Sequence, residues 1–189
     1  MNDTSTMTND RNTKAWPSTS EAEIVREHVP IDEQQIHGVT FDGKLVWFAR
    51  DDELVAFDPE AEKVVRRHPV AGADAGTAFD GQHLYQLAKG EILVIDPKDG
   101  RILRKLPAPG KGGDSGMAYA DGYLWIGQCH GAKIHKVDAK TGEVVKVLSS
   151  DRFVTGVSVV EGALWHGAAV DGKPTELRRL ASDGTVEEA

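Results

Sequence analysis

Two histidines in this sequence sit where an imidazole would carry protons. His37 directly precedes Gly38, and His166 directly follows Trp165. An imidazole changes charge near neutrality, so it can act as general acid or base without a perturbed pKa. Polar residues recur at comparable places in the chain. Arg50, Gln86 and Gln128 come shortly after an aromatic residue, and Asp114, Ser115 and Thr155 lie at or beside a position that precedes a glycine. These positions differ in residue type from one occurrence to the next, whereas positions that only hold a framework together stay alike. That divergence marks Arg50, Gln86, Asp114, Ser115, Gln128 and Thr155 as candidate ligand-binding residues, and His37 and His166 as candidate catalytic ones.

Gln128, Cys129, His130 and His135 form a further cluster, but their spacing matches no zinc pattern, and adjacent Cys129 and His130 would point to opposite faces of a strand. No metal and no cofactor is expected. The tryptophans Trp47, Trp125 and Trp165 read as packing residues. No P-loop, HExxH, Gly-x-Ser-x-Gly or dinucleotide fingerprint is present.

The elements that position these residues come as a repeat. The glycines Gly38, Gly76, Gly116 and Gly156 are spaced 38, 40 and 40 apart. Repeats fall near 37–74, 75–113, 115–151 and 155–189. Each holds four short extended runs separated by turn signals. In the third repeat the runs are Met117–Ala120, Tyr123–Gln128, Lys133–Val137 and Val144–Leu148. Asp121-Gly122 joins the first two, and a type I′ hairpin needs positive φ at both of its central residues. The same turn recurs as Asp42-Gly43, Asp80-Gly81 and Glu161-Gly162. Four strands per repeat with one aromatic each predicts an all-β fold, a small β-propeller of four visible four-stranded repeats. A β-sandwich would not repeat its turns this closely. Residues 1–22 read as a disordered polar leader, and 23–189 as the propeller domain. The run Glu23 to Val29 has the character of an outermost strand with no partners before it, which suits an N-terminal strand used for closure. If a blade is missing instead, two long edges stand open, and a homo-oligomer would cover them.

Bulk properties narrow the partners. The formal net charge is −8 and the pI about 5.3, which speaks against nucleic acid or an anionic membrane surface. A small-molecule ligand is the partner the polar set suggests. The single cysteine excludes a disulfide framework within the chain. The first residues have no apolar segment of the secretory kind, so a cytoplasmic location is expected.

The phrases AGTAFDGQHLYQ, GMAYADGYLWIGQ and GVSVVEGALWHG resemble the glutamine cyclotransferase-like propellers, and more loosely the quinoprotein-like and virginiamycin-lyase-like class. The likeness covers residues 23–189. It implies five blades, a central pocket lined by the residue before each leading glycine, and a catalytic glutamate at that position in the second repeat. In this chain that position is Ala75. The resemblance therefore implies a small-molecule-binding propeller of cyclotransferase or lyase type whose glutamate chemistry is missing. The alternative is a non-catalytic propeller that serves as a protein-binding scaffold.

Overall fold

The computed structural model describes residues 35–172, 174–181 and 185–188. The polar leader and the proposed closing strand Glu23 to Val29 lie outside the described residues. Among the described residues, alternating apolar positions and frequent turns give sixteen antiparallel strands in four sheets of four. No helix among the described residues is long and apolar enough to cross a membrane. Blade 1 consists of β1 (Val39–Phe41), β2 (Val46–Arg50), β3 (Glu53–Asp58) and β4 (Lys63–Pro69). Blade 2 consists of β5 (Thr77–Phe79), β6 (Leu84–Ala88), β7 (Glu91–Ile95) and β8 (Ile102–Pro107). Blade 3 is built from β9 (Asp114–Ala120), β10 (Tyr123–Gln128), β11 (Lys133–Asp138) and β12 (Val144–Ser149). Blade 4 is built from β13 (Phe153–Val160), β14 (Ala163–Ala169), β15 (Glu176–Leu180) and β16 (Val186–Glu188). Strands pair in chain order within every sheet. The molecule is thus a four-bladed β-propeller, as the repeats predict. The fifth blade that the resemblance implies is not among the described residues.

Where two blades face one another, both faces are apolar, because each is covered by its neighbour. Trp47, Ala49, Leu54 and Ala56 of blade 1 pack on Leu84, Leu93 and Ile95 of blade 2. Tyr85, Leu87, Ile92 and Val94 of blade 2 pack on Leu124, Ile126 and Val137 of blade 3. Ile134 and Trp125 of blade 3 meet Leu164, Val157 and Leu180 of blade 4. The innermost strands touch in the same order, β1 on β5, β5 on β9 and β9 on β13. The leading glycines permit that approach. A Cβ on Gly76 would fall 2.7 Å from the Gly116 carbonyl carbon, and one on Gly116 would fall 2.7 Å from the Gly156 Cα. Arginines on the outer strands of blades 1 and 2 clasp the blade that follows. Arg66 donates to the Pro97 carbonyl at 3.5 Å, and Arg104 donates to the carbonyls of Lys140 at 2.6 Å and Ala139 at 3.3 Å.

The first turn of each blade comes in two kinds. In blades 3 and 4, Asp121 (φ 50°) with Gly122 (φ 84°), and Glu161 (φ 51°) with Gly162 (φ 78°), have the double positive φ of a type I′ turn. Asp42 and Asp80 do not adopt positive φ, so the two earlier turns depart from that expectation. One extra residue separates the glycine from the aromatic in blades 1 and 2, and the aspartate side chain closes the wider loop. Asp42 Oδ1 accepts the Lys44 and Leu45 N–H groups at 2.8 and 2.6 Å, and Oδ2 accepts the Trp47 indole N–H at 2.7 Å.

Candidate functional site

Two cavities formed by the described residues bear on where a ligand could sit. The first is the axial mouth. All four innermost strands converge on a space of about 200 Å³, lined by Thr40, Thr77, Ala118, Tyr119 and Ser158 together with apolar neighbours. The innermost strands contribute residues from both of their faces to this mouth, and most of the polar ones carry hydroxyls. None of the eight residues singled out from the sequence lines it.

Bulges account for part of this. Ser115 and Gly116 together oppose the single Gly127, and Thr155 is the extra residue between the pairs Val154–Ala168 and Gly156–Gly167. A bulge residue leaves the two-residue alternation, so its side chain no longer follows the face assigned by counting. Ser115 Oγ instead donates to the Val154 carbonyl of the next blade at 2.7 Å. Thr155 is exposed. His37 lies at the start of blade 1 with Nε2 3.2 Å from Asp51 Oδ1. Arg50 ends β2 and is buried.

Gln86 is also buried, and its amide is committed to the framework. Its Oε1 accepts the Thr77 hydroxyl at 2.6 Å, while Nε2 donates to the carbonyls of Ala75 at 3.1 Å and Leu87 at 2.7 Å. Asp114 and Gln128 do come together, opposite one another in register. His135 joins them, with Nε2 3.5 Å from Gln128 Oε1. Burial raises the Asp114 carboxyl pKa, against the pull of the Gly110 and Gly112 N–H groups and of His135. Burial lowers the His135 pKa, against the pull of Asp114. Since Asp114 Oδ1 accepts the Gly110 N–H at 2.8 Å, this cluster ties down the glycine-rich loop Gly110–Gly113. Among the described residues no group of three metal-ligating side chains converges.

The second place is the seam between blades 3 and 4. A cavity of about 230 Å³ opens there, lined by Ser149, Ser150, Asp151, His166 and Arg178 over an apolar floor that includes Leu148 and Leu180. His166 Nδ1 lies 3.2 Å from the Gly167 carbonyl. A carbonyl only accepts, so Nδ1 carries the proton and Nε2 keeps its lone pair. Burial lowers the His166 pKa and Arg178 lowers it further, while the Gly167 carbonyl and Asp151 act in the other direction. Arg178 donates to Asp151, and its Nε donates to Glu176 at 2.9 Å. Glu176 also pairs with Arg152 at 2.8 Å. Burial works against the Arg178 charge, and the two carboxylates more than offset it. The cavity therefore presents a neutral imidazole beside a compensated guanidinium.

His37 is absent from this lining, so the two candidate catalytic histidines do not share a cavity. Arg178, Asp151 and Glu176 escaped sequence reasoning, though a signal existed. His166 pairs across the sheet with Arg178, while Gln86 and Phe48 at the matching positions pair with Leu93 and Val55. Comparing the third run across repeats would have exposed an arginine at a core position.

Comparison with known proteins places these features in context. The family model PQQ_2, described as outer membrane protein assembly factor BamB, matches residues 6–146. No curated protein matches the chain. Among solved structures, the chain is similar to glutaminyl cyclase of Myxococcus xanthus, at 14% identity over 80% of this chain and 76% of that one, with a TM-score of 0.65. It is similar to hydrazine synthase of Kuenenia stuttgartiensis at 17% identity, over 88% of this chain and 52% of that one, with a TM-score of 0.65. It is similar to BamB of Moraxella catarrhalis at 12% identity, over 69% of this chain and 40% of that one, with a TM-score of 0.54. The chain thus spans about half or less of the latter two. At these identities the likeness concerns the fold alone.

Proposed function

The chain belongs to the PQQ_2 family of quinoprotein-like β-propellers, described as outer membrane protein assembly factor BamB, and on that premise we propose that it is a non-catalytic platform that docks other polypeptides. The observation that carries this reading is the make-up of the axial mouth. Its accessible polar side chains are chiefly hydroxyls, from Thr40, Tyr119 and Ser158, and the candidate proton carriers lie elsewhere. Hydroxyls and strand backbone bond a passing peptide without performing chemistry on it. The family's description as an assembly factor agrees with a docking role.

The test is fluorescence anisotropy with a dye-labelled outer-membrane polypeptide, unfolded in urea and diluted into the protein. Saturable binding is expected, unchanged when His37 and His166 are both replaced by alanine and weakened about tenfold by Ser158→Arg at the mouth. No binding, or binding that survives Ser158→Arg at full strength, refutes the reading.

The cavity around His166 favours a second reading, a small-molecule site of cyclotransferase or lyase type. On that reading His166 Nε2 accepts a proton and Ser149 and Ser150 orient the ligand. Replacement of His166 by alanine would then abolish ligand binding and leave polypeptide docking intact.

A further inference from the structure

The repeated seams show which buried polar side chains are spent on the framework and which are not. Gln86 of blade 2 commits its whole amide, to Thr77, Ala75 and Leu87. His166 holds the matching place in blade 4 and commits only Nδ1, to the Gly167 carbonyl. Its Nε2 has no partner among the described residues, although the residue is 2% exposed. Arg178 lies directly opposite in register, where blade 2 has Leu93. Its Nη1 donates to Asp151 and its Nε to Glu176. That leaves Nη2 without an acceptor among the described residues, in a residue 7% exposed. Neither free atom is sealed away, and both residues line the cavity of about 230 Å³ between blades 3 and 4. An acceptor and a donor on adjacent strands thus face one void, and each costs stability until something bonds it.

The surroundings define the chemistry of that partner. Arg178 and Arg152 are balanced by Asp151 and Glu176, so this set carries no net charge. An anion entering would meet the Asp151 carboxylate, which lines the cavity and is 74% exposed. A cation would meet Arg178. A neutral ligand meets neither penalty. A hydroxyl can accept and donate only from one oxygen, whereas a carboxamide presents its acceptor and its donors on separate atoms, as two side chains on neighbouring strands require. The remaining wall is apolar, Ile134 and Leu148 from blade 3 with Leu180 and Val186 from blade 4. It suits a compact aliphatic body, and the volume is below that of sites for drug-sized ligands. We infer that this seam cavity binds a small neutral carboxamide with a branched aliphatic body, its carbonyl oxygen on Arg178 Nη2 and its N–H on His166 Nε2, which rests on the second reading above, that the cavity is a small-molecule site. The ligand touches both blades at once, and no bond is made or broken in it.

Three probes of one shape test this on the full chain at neutral pH: isobutyramide, isobutyrate and isobutyl alcohol, each followed by broadening of its methyl NMR signals as protein is added. Isobutyramide should bind saturably, and the other two about tenfold more weakly, the usual cost of one lost hydrogen bond. His166→Leu removes the acceptor and should weaken isobutyramide by a similar factor. Val186→Trp fills the cavity from the rim and should do the same. Val186 is 47% exposed, so this variant serves if the first misfolds. Absence of binding by all three probes overturns both the inference and the reading it rests on. Binding of isobutyrate or isobutyl alcohol as tight as that of isobutyramide overturns the inference alone. So does isobutyramide binding that keeps its full strength in the folded variants.

Discussion

His166 occupies the place that Gln86 holds two blades earlier, and the two side chains show what the position demands. Both are buried, and both hydrogen-bond the carbonyl of the following residue, Leu87 for Gln86 and Gly167 for His166. Glutamine does so at any pH, whereas an imidazole must stay neutral to remain comfortably buried. Burial lowers its pKa, with Arg178 adding to the effect, so the unfolded chain takes up the proton first as pH falls. Stability is therefore intact above the ordinary imidazole range and is lost as pH drops through it. His135 works in the same direction. The variant His166→Gln should consequently show a smaller loss of urea midpoint between pH 7.5 and pH 5.5 than the parent. An identical loss in the two proteins would remove His166 from that account.

At the scale of the element, the first turn of each blade uses an acidic residue in two physically distinct ways. Asp42 is an acceptor for three N–H groups, one of them the indole of the fully buried Trp47. Burial works against its charge, but these bonds outweigh it and hold the carboxyl below its ordinary pKa. Asp121 serves instead through its backbone, at φ 50°. Asp42→Ala should cost about 1–3 kcal/mol, the usual penalty for leaving a buried donor without its acceptor. Asp121→Gly should cost less than about 0.5 kcal/mol, because glycine adopts positive φ freely. Chemical denaturation of the two variants side by side measures the difference.

The element scale also shows how far the sequence could be read. Strand periodicity and turn residues located the blades closely: the run Tyr123–Gln128 is β10 itself, and Val144–Leu148 is β12 less one residue. Those signals are local, so they are written in the sequence. The direction of individual side chains was not legible, because Ser115 and Thr155 fall on bulges that break the count of two. The partnership of His166 with Arg178 and Asp151 was hidden for another reason. It joins three different segments, and only the sheet register brings them side by side.

Across the whole molecule, the three inner seams are not equal. The residue facing the preceding blade from the third strand is Leu93 in the first seam, His135 in the second and Arg178 in the third. Leu93 is buried apolar surface at about 25 cal/mol per Å². His135 is buried with an Nδ1 that has no hydrogen-bond partner, which subtracts from its seam. Arg178 needs two carboxylates to be tolerated and leaves a cavity beside it. Cohesion therefore declines along the chain, and the propeller should come apart as a graded sequence rather than all at once. In native-state hydrogen exchange, amides of β14 and β15 should lose protection first, those of β10 and β11 next, and those of β2, β3, β6 and β7 last. The polar residues that enrich the C-terminal seam are thus also the hinge of its fraying, so whatever occupies the cavity beside His166 would double as a latch on the last blade.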